Sequence, residues 1–315
     1  MFQILKAKQA INFMRWSKFA FVLSALLIVA SIVTISIKGF NWGLDFTGGT
    51  LIEVSFEQPA DLEQVRNALE TQGFGDATVQ NFGSAKDVMV RLRPRENMAG
   101  EALGNQIISA INKGTGQHVE MRRIEFVGPN VGDELTEAGG MAILISLLCI
   151  LMYVSMRFEW RLSAGAVLSL AHDVTITLGV FSFLQIEVDL TIIAALLTVV
   201  GYSLNDTIVV FDRIRENFRK MRKGESDEVM NNSITQTLSR TLITSGTTLF
   251  VVIALFVEGG AMIHGFALAL LLGITVGTYS SIYVASALAL KLGIKREHLL
   301  QPQVEKEGAE FDELP

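Results

Sequence analysis

The chain has 315 residues, 50% of them hydrophobic and 18% charged, with a net charge of -6. A soluble globular chain is usually about a quarter charged, so this balance argues for a membrane protein. The one cysteine, Cys149, excludes an internal disulfide. No G-x-x-x-x-G-K-[ST] run is present, so a P-loop is excluded and work done by the chain has to draw on an ion gradient or a partner.

Residues 1–18 carry Lys6, Lys8, Arg15 and Lys18 and precede an apolar run, 19–37, long enough to cross a bilayer. Its length, with no A-x-A-like site after it, reads as a retained anchor rather than a cleaved signal. In the next segment, 38–137, Ile52, Val54 and Phe56 alternate with Glu53, Ser55 and Glu57, as in a half-buried strand. Leu62, Val65 and Leu69 then share a helical face that Gly73 closes. Strands are predicted over 77–82 and 88–92, joined at Gly83-Ser84, and Leu103, Ile107 and Ile111 form a second helical stripe ended by Gly114. The last strand, 118–126, changes parity after Met121, which predicts a bulge. The order β-α-β-β-α-β is the ferredoxin-like pattern.

Five further apolar runs follow, at 138–156, 162–184, 190–211, 241–257 and 265–290. The expected fold is therefore a membrane bundle of six transmembrane helices with one α+β ferredoxin-like domain outside it. Arg157 and Arg161 lie between the second and third spans, and Lys291, Lys295 and Arg296 open the acidic tail, 291–315. The connection 212–240 holds Arg213, Arg215, Arg219, Lys220, Arg222, Lys223 and Arg240, and reads as a basic cytoplasmic loop. The short connections after the third and fifth spans hold no Lys or Arg. By the positive-inside rule both termini are cytoplasmic and 38–137 lies outside. The basic loop sets topology and touches anionic lipid heads; no nucleic acid is implied.

Asp206 and Asn205 fall inside the fourth span, and His172 and Asp173 inside the third. An ionisable group in lipid is costly and marks function by default, which singles out Asp206. Asp173 reads as a supporting polar group and His172 as a packing residue; one His beside one Asp does not make a metal site. Arg240, Thr244 and Thr247 share one face at helical spacing on the fifth span, and a polar stripe there must face protein or water. Arg240 is also readable as an interfacial topology signal. Gly265, Ala269, Gly273, Gly277, Ser281, Ala285 and Ala289 give the sixth span a small-residue stripe that lets another helix approach. The run 43–50, with Gly43, Asp45, Phe46, Gly48 and Gly49, reads as a turn with special backbone angles leading into the first strand.

Three runs carry a resemblance: GLDFTGGT at 43–50, GYSLNDTIVVFDRIREN at 201–217 and LSRTLITSGTT at 238–248. Together they are similar to the smaller subunit of the SecD/SecF family of bacterial protein export, and the KREH run at 295–298 resembles a gammaproteobacterial member. The resemblance implies a resistance-nodulation-division type of bundle, a periplasmic place for the outside domain, and a SecD partner with a matching bundle. It further implies docking on the SecYEG channel, with YajC as an additional neighbour. The pair would use the proton-motive force to pull an unfolded exported polypeptide outward after the SecA motor has acted. It places the proton-responsive roles on Asp206 and Arg240, and implies no cofactor, metal or catalytic residue. Half of a proton-driven small-molecule exporter and a passive scaffold are the competing readings. The single small outside domain weighs against the first, and the buried carboxylate against the second.

Overall fold

In the computed structural model, which describes residues 10–94, 101–221 and 224–299, six helices are long and apolar enough to cross a membrane. Lys6, Lys8, Arg222, Lys223 and the tail from residue 300 lie outside the described residues. Helix α1 (Ser17–Lys38) is followed by strand β1 (Asn41–Trp42), a single helical turn α2 (Leu44–Thr47) and strand β2 (Gly49–Phe56). The outer domain continues with α3 (Leu62–Thr71), β3 (Thr78–Phe82), β4 (Ser84–Leu92), α4 (Glu101–Thr115) and β5 (Val119–Val127). The remaining spans are α5 (Pro129–Arg157), α6 (Trp160–Leu184), α7 (Leu190–Lys220), α8 (Ser226–Glu258) and α9 (Gly260–Ser280). A π turn (Ser281–Ala285) joins α9 to α10 (Ser286–Lys291) as one continuous last span. Strand β6 (Glu187–Val188) lies between α6 and α7 and pairs in parallel with β1.

The outer sheet is antiparallel, with order β3-β4-β2-β5. Ile52, Val54, Val88 and Val90 on its inner face meet Val65 and Leu69 of α3 and Leu103, Ile107 and Ile111 of α4, all fully buried. Asp61 caps α3 by accepting from the amides of Glu63 and Gln64, which fixes where the helix starts. The expected bulge is present: Glu53 pairs with Arg123 and Val54 with Met121, leaving Arg122 as the extra residue. Gly114 does not end α4. A Cβ there would collide with Ala68, so this glycine lets α3 and α4 touch, and Gly116 at φ +67° follows the helix end.

The membrane helices are longer than their apolar runs. Pro129 starts α5 well before residue 138, pre-set for the first helical turn. The segment 212–240 is not a loop: α7 runs on to Lys220 and α8 begins at Ser226. Ile214 and Phe218 face Val229, Met230 and Ile234 in the core of this extension. Asn217 Nδ2 donates to Ser233 Oγ at 2.9 Å and to Gln236 Oε1 at 3.1 Å. These partners hold the polar helix ends together beyond the apolar run. The N-terminal segment is fastened to the same extension, since the Met14 amide donates to Asn231 Oδ1 at 3.0 Å.

Helices α6, α7 and the last span are half buried within the bundle, whereas α1, α5 and α8 are mostly exposed. Small residues set the close approaches. A Cβ on Gly273 would overlap Val199 of α7, one on Gly179 would overlap Ser31 of α1, and one on Gly165 would press on the Ala285 carbonyl. The small-residue stripe of the sixth span is thus filled by the chain's own helices.

Candidate functional site

The interior of the bundle is polar at one level. Asp206, on the inner face of α7, is 3% exposed. Its Oδ2 accepts from Ser245 Oγ of α8 at 3.2 Å, and Thr278 Oγ1 of α9 lies 2.8 Å from the same Ser245 oxygen. Three residues before Asp206, Ser203 donates to Asp173 Oδ2 of α6 at 2.6 Å, and Ser280 of α9 donates to that oxygen at 2.7 Å. Asp173 is fully buried. Its other oxygen lies 2.8 Å from His172 Nδ1, and His172 Nε2 lies 3.0 Å from Ser24 Oγ of α1. Gly277 makes room for this meeting, since a Cβ there would stand 3.1 Å from Ser203 Cβ and 3.5 Å from Asp173 Oδ2. Two carboxylates from adjacent helices are therefore held in one layer of hydroxyl groups, close to the π turn, where the helix ladder is already interrupted. Ser281, buried at the start of that turn, donates to the Thr278 carbonyl, and Ser286 donates to the Ser281 carbonyl.

The other expected residues divide. Arg240 is exposed on this chain and makes no ion pair with Asp206 among the described residues, although Asp206 lies within reach of its charge. Asn205 also faces outward, as does Thr247, with Thr244 half-buried. Thr244 and Thr247 donate to carbonyls one turn back on their own helix, the usual retreat of a hydroxyl on a membrane helix. The hydroxyl that meets Asp206 is Ser245, a neighbour of the expected stripe. Ser245 belongs to a buried phase running Ile234, Thr237, Thr241, Ser245 and Val252, and counting that phase would have found it.

The run 43–50 forms a strap between the outer domain and the bundle. Asp45 Oδ2 accepts from the amide of Leu190 at 2.9 Å, at the first residue of α7. A carboxylate there satisfies an otherwise unpaired helix donor and meets the positive end of the helix dipole. Asp189 beside it caps Ile192 at 2.9 Å. Gly43 donates to the Val188 carbonyl at 2.8 Å, leaving no space for a Cβ. Phe46 packs edge-on against Trp42 at 5.6 Å. Gly48 and Gly49 have φ of +63° and +122°, and a Cβ on Gly49 would collide with the Leu92 carbonyl of β4. Arg91 of β4 donates to the Trp42 carbonyl at 2.7 Å and to the Thr47 hydroxyl, and lies 3.6 Å from Glu187. Burial pushes the Glu187 carboxyl above its usual range, against the pull of Arg91.

Two family models match the chain: "SecD/SecF GG Motif" over residues 33–60 and "Protein export membrane protein SecD/SecF, C-terminal" over residues 107–295. A Vibrio alginolyticus protein, "Protein translocase subunit SecF", is 81% identical over the full length of both chains. The chain belongs to the SecF family of protein translocase subunits. The SecF of Escherichia coli O157:H7 is 57% identical over 98% of this chain and 96% of its own. Among solved structures, SecDF of Thermus thermophilus, titled a translocon-associated membrane protein, superposes with a TM-score of 0.83 at 39% identity. The match covers 92% of this chain and 39% of that one, so the SecF chain spans about two-fifths of SecDF. A second SecDF structure, in a super-membrane-facing form, superposes less closely, with a TM-score of 0.68. In this SecF chain the GG-motif match coincides with the strap, and the C-terminal match spans every helix that carries the two carboxylates.

Proposed function

We propose that this chain is the SecF half of a SecD–SecF pair in the bacterial inner membrane. In this reading the pair uses the proton-motive force to complete export of unfolded preproteins through SecYEG after the ATP-dependent SecA step. The observation that carries the reading is Asp206, a carboxylate buried in a membrane helix and met directly by one hydroxyl, Ser245. A group so placed is suited to gaining and losing a proton. Both termini are cytoplasmic, because Lys and Arg concentrate at that end of the spans. The domain from Gly49 to Val127 is then periplasmic, and its strand order supports the ferredoxin-like reading. Asn205, Arg240 and Thr247 are exposed here and do not belong in lipid, so the matching bundle of SecD covers them. YajC and the SecYEG channel lie around this pair.

Ionised, Asp206 is drawn towards Arg240, which stays charged at any working pH; protonated, it loses that attraction, and α7 and α8 can repack. One proton moving down the membrane potential supplies roughly 2.3 kcal/mol per 100 mV, enough to shift a two-state balance about fifty-fold. Because α7 is tied to the strap through Asp45, its movement is passed to the outer domain. The test is late-stage export into inverted vesicles with and without an imposed proton gradient. Asp206→Asn should abolish the gradient-dependent part and leave the ATP-driven part. Arg240→Lys should impair it, because an ammonium does not replace a planar fork. Full gradient stimulation in Asp206→Asn vesicles would refute the reading.

A further inference from the structure

The end of the bundle that carries most of the arginines has a notch of about 450 Å³, away from the buried carboxylates. It is lined by Arg157, at the end of α5, and by Asp212, Arg215, Glu216, Arg219 and Lys220 on the polar extension of α7. Its carboxylates do not balance its cations. Asp212 accepts from Arg157 Nη2 with both oxygens, at 2.6 and 2.9 Å, and lies 3.3 Å from Arg215 Nη2. Glu216 is taken by Lys220 at 2.5 Å and by Arg213 at 2.7 Å. Arg219 Nε donates to the neutral Leu299 carbonyl at 3.1 Å. Arg157, Arg215 and Arg219 are thus left to share the single carboxylate of Asp212. Among the described residues, Nε and Nη1 of Arg157 and both Nη groups of Arg219 have no protein partner. The like charges are held side by side. Arg215 Nη1 donates to the Arg157 carbonyl at 3.4 Å, and the ring of Phe158 lies 5.2 Å from the Arg157 guanidinium carbon and 6.0 Å from that of Arg215. Phe158 is buried and packs edge-on against Phe211 at 5.8 Å, so the ring that attracts both cations is fixed.

We propose that this notch binds the phosphodiester of one anionic phospholipid, with Arg157, Arg215 and Arg219 as its ligands. An anion seated there relieves the repulsion among the three arginines. Guanidinium forks also match the oxygens of a phosphate in pairs. The surroundings name the source of the anion. The notch begins where the apolar run 138–156 stops, and Trp160, at the start of α6, is exposed beside it. An exposed Trp next to arginines marks the level of the lipid headgroups. Met152 and Met156, one turn apart on α5, are exposed directly before Arg157 and give the acyl chains a path along the helix. Basic pockets between spans at this level take the heads of anionic lipids. A zwitterionic lipid carries its own cation beside the phosphate and does not suit an excess of arginine. This is a bounded site with three named ligands, distinct from the diffuse attraction of a basic segment to a charged surface. A head bound in it joins α5 to α7 beyond the apolar run. The proposal does not depend on the proton-coupled reading above.

The test uses the full chain with its SecD partner, purified in mild detergent. Native mass spectrometry reads bound lipid as phosphatidylglycerol or phosphatidylcholine is added. The wild-type complex should take up its first phosphatidylglycerol at lower concentration than its first phosphatidylcholine. One basic side chain near a lipid head is worth about a fivefold change in binding. Arg215→Gln and Arg219→Gln should therefore each weaken phosphatidylglycerol by about fivefold or more and leave phosphatidylcholine unchanged. Arg219 is exposed and forms no ion pair among the described residues, so its variant keeps the Arg157–Asp212 joint between α5 and α7. Arg161→Gln is the control. It removes the same charge at the same membrane level, from a guanidinium already engaged by Glu159 at 2.5 Å and the Leu292 carbonyl at 3.1 Å. Equal uptake of the two lipids by the wild-type complex overturns the proposal, and so does a loss in Arg161→Gln as large as that in Arg219→Gln. Displacement of phosphatidylglycerol by an equal concentration of inorganic phosphate would make a free anion the occupant and overturn it as well.

Discussion

Replacing Asp45 with Ala separates the strap from α7 without touching the buried carboxylates. The wild-type carboxylate is half-buried and accepts from the Leu190 amide at 2.9 Å. Loss of a helix cap costs about 0.5–2 kcal/mol, and loss of a negative charge at a helix N-terminus about 0.3–1 kcal/mol. These overlap, and a combined loss of about 1–2 kcal/mol corresponds to roughly a 5–30-fold change in a local equilibrium. Hydrogen exchange read at the Leu190 amide, in the assembled complex, should therefore speed up by that factor in Asp45→Ala. Asp45→Asn retains an acceptor and should show the smaller part of the effect. The amide of Ile192 is capped by Asp189 instead and serves as an internal control, unaffected in both variants. Gradient-driven export should fall in Asp45→Ala while assembly with the partner is preserved. An unchanged Leu190 exchange rate in Asp45→Ala would show that the carboxylate does not hold the helix end, and the path from α7 to the outer domain would have to run elsewhere.

Three further outcomes are expected. Gly49→Ala forces a Cβ against the Leu92 carbonyl at a backbone angle few side chains adopt, so β2 should lose its pairing at that end and limited proteolysis should cut near the strap. Leu69→Ala, at a fully buried position, should lower the stability of a soluble 49–127 fragment by about 2–5 kcal/mol, read from its urea midpoint; an unchanged midpoint would contradict the assigned core. Asp87 accepts from Ser84 at 2.6 Å and from Ser55 at 2.7 Å, and these bonds hold its carboxyl below the usual aspartate range. A lowered folded value contributes stability above the unfolded value and loses it as pH falls through the folded one. The midpoint difference between wild type and Asp87→Asn should therefore shrink below about pH 4 and vanish in stronger acid.

Much of this architecture was readable before any coordinates, because lipid demands long apolar runs and a half-buried sheet demands alternation. The parity slip at Met121 even located the bulge at Arg122. What escaped reading depended on contacts between distant elements. The polar ends of α7 and α8 look like a loop because the partners of Asn217 lie across the turn, at Ser233 and Gln236. Thr244 stands out over Ser245 in the sequence because it lies one turn from Arg240, whereas the buried face of α8 runs through Thr241 and Ser245. His172 read as packing because nothing near it in sequence shows that Ser24 of α1 closes its far side. Asp45 looked like part of a turn because the helix end it satisfies begins at Leu190.

The π turn from Ser281 to Ala285 makes the last span sensitive to the number of its residues as well as to their kinds. Each residue of an α-helix advances the chain by about 100°. The π turn absorbs one residue more than a regular turn, so deleting one there would restore a regular ladder and leave α9 and α10 near their present register. The same deletion inside α9 has no such slack: it would rotate one side of the span against the other by about 100° and pull the small-residue face away from Val199 and Ser203. A single-codon deletion in α9 is therefore expected to be far more damaging than one in the π turn, while a deletion near Gly224, between α7 and α8, would leave the register of every span intact.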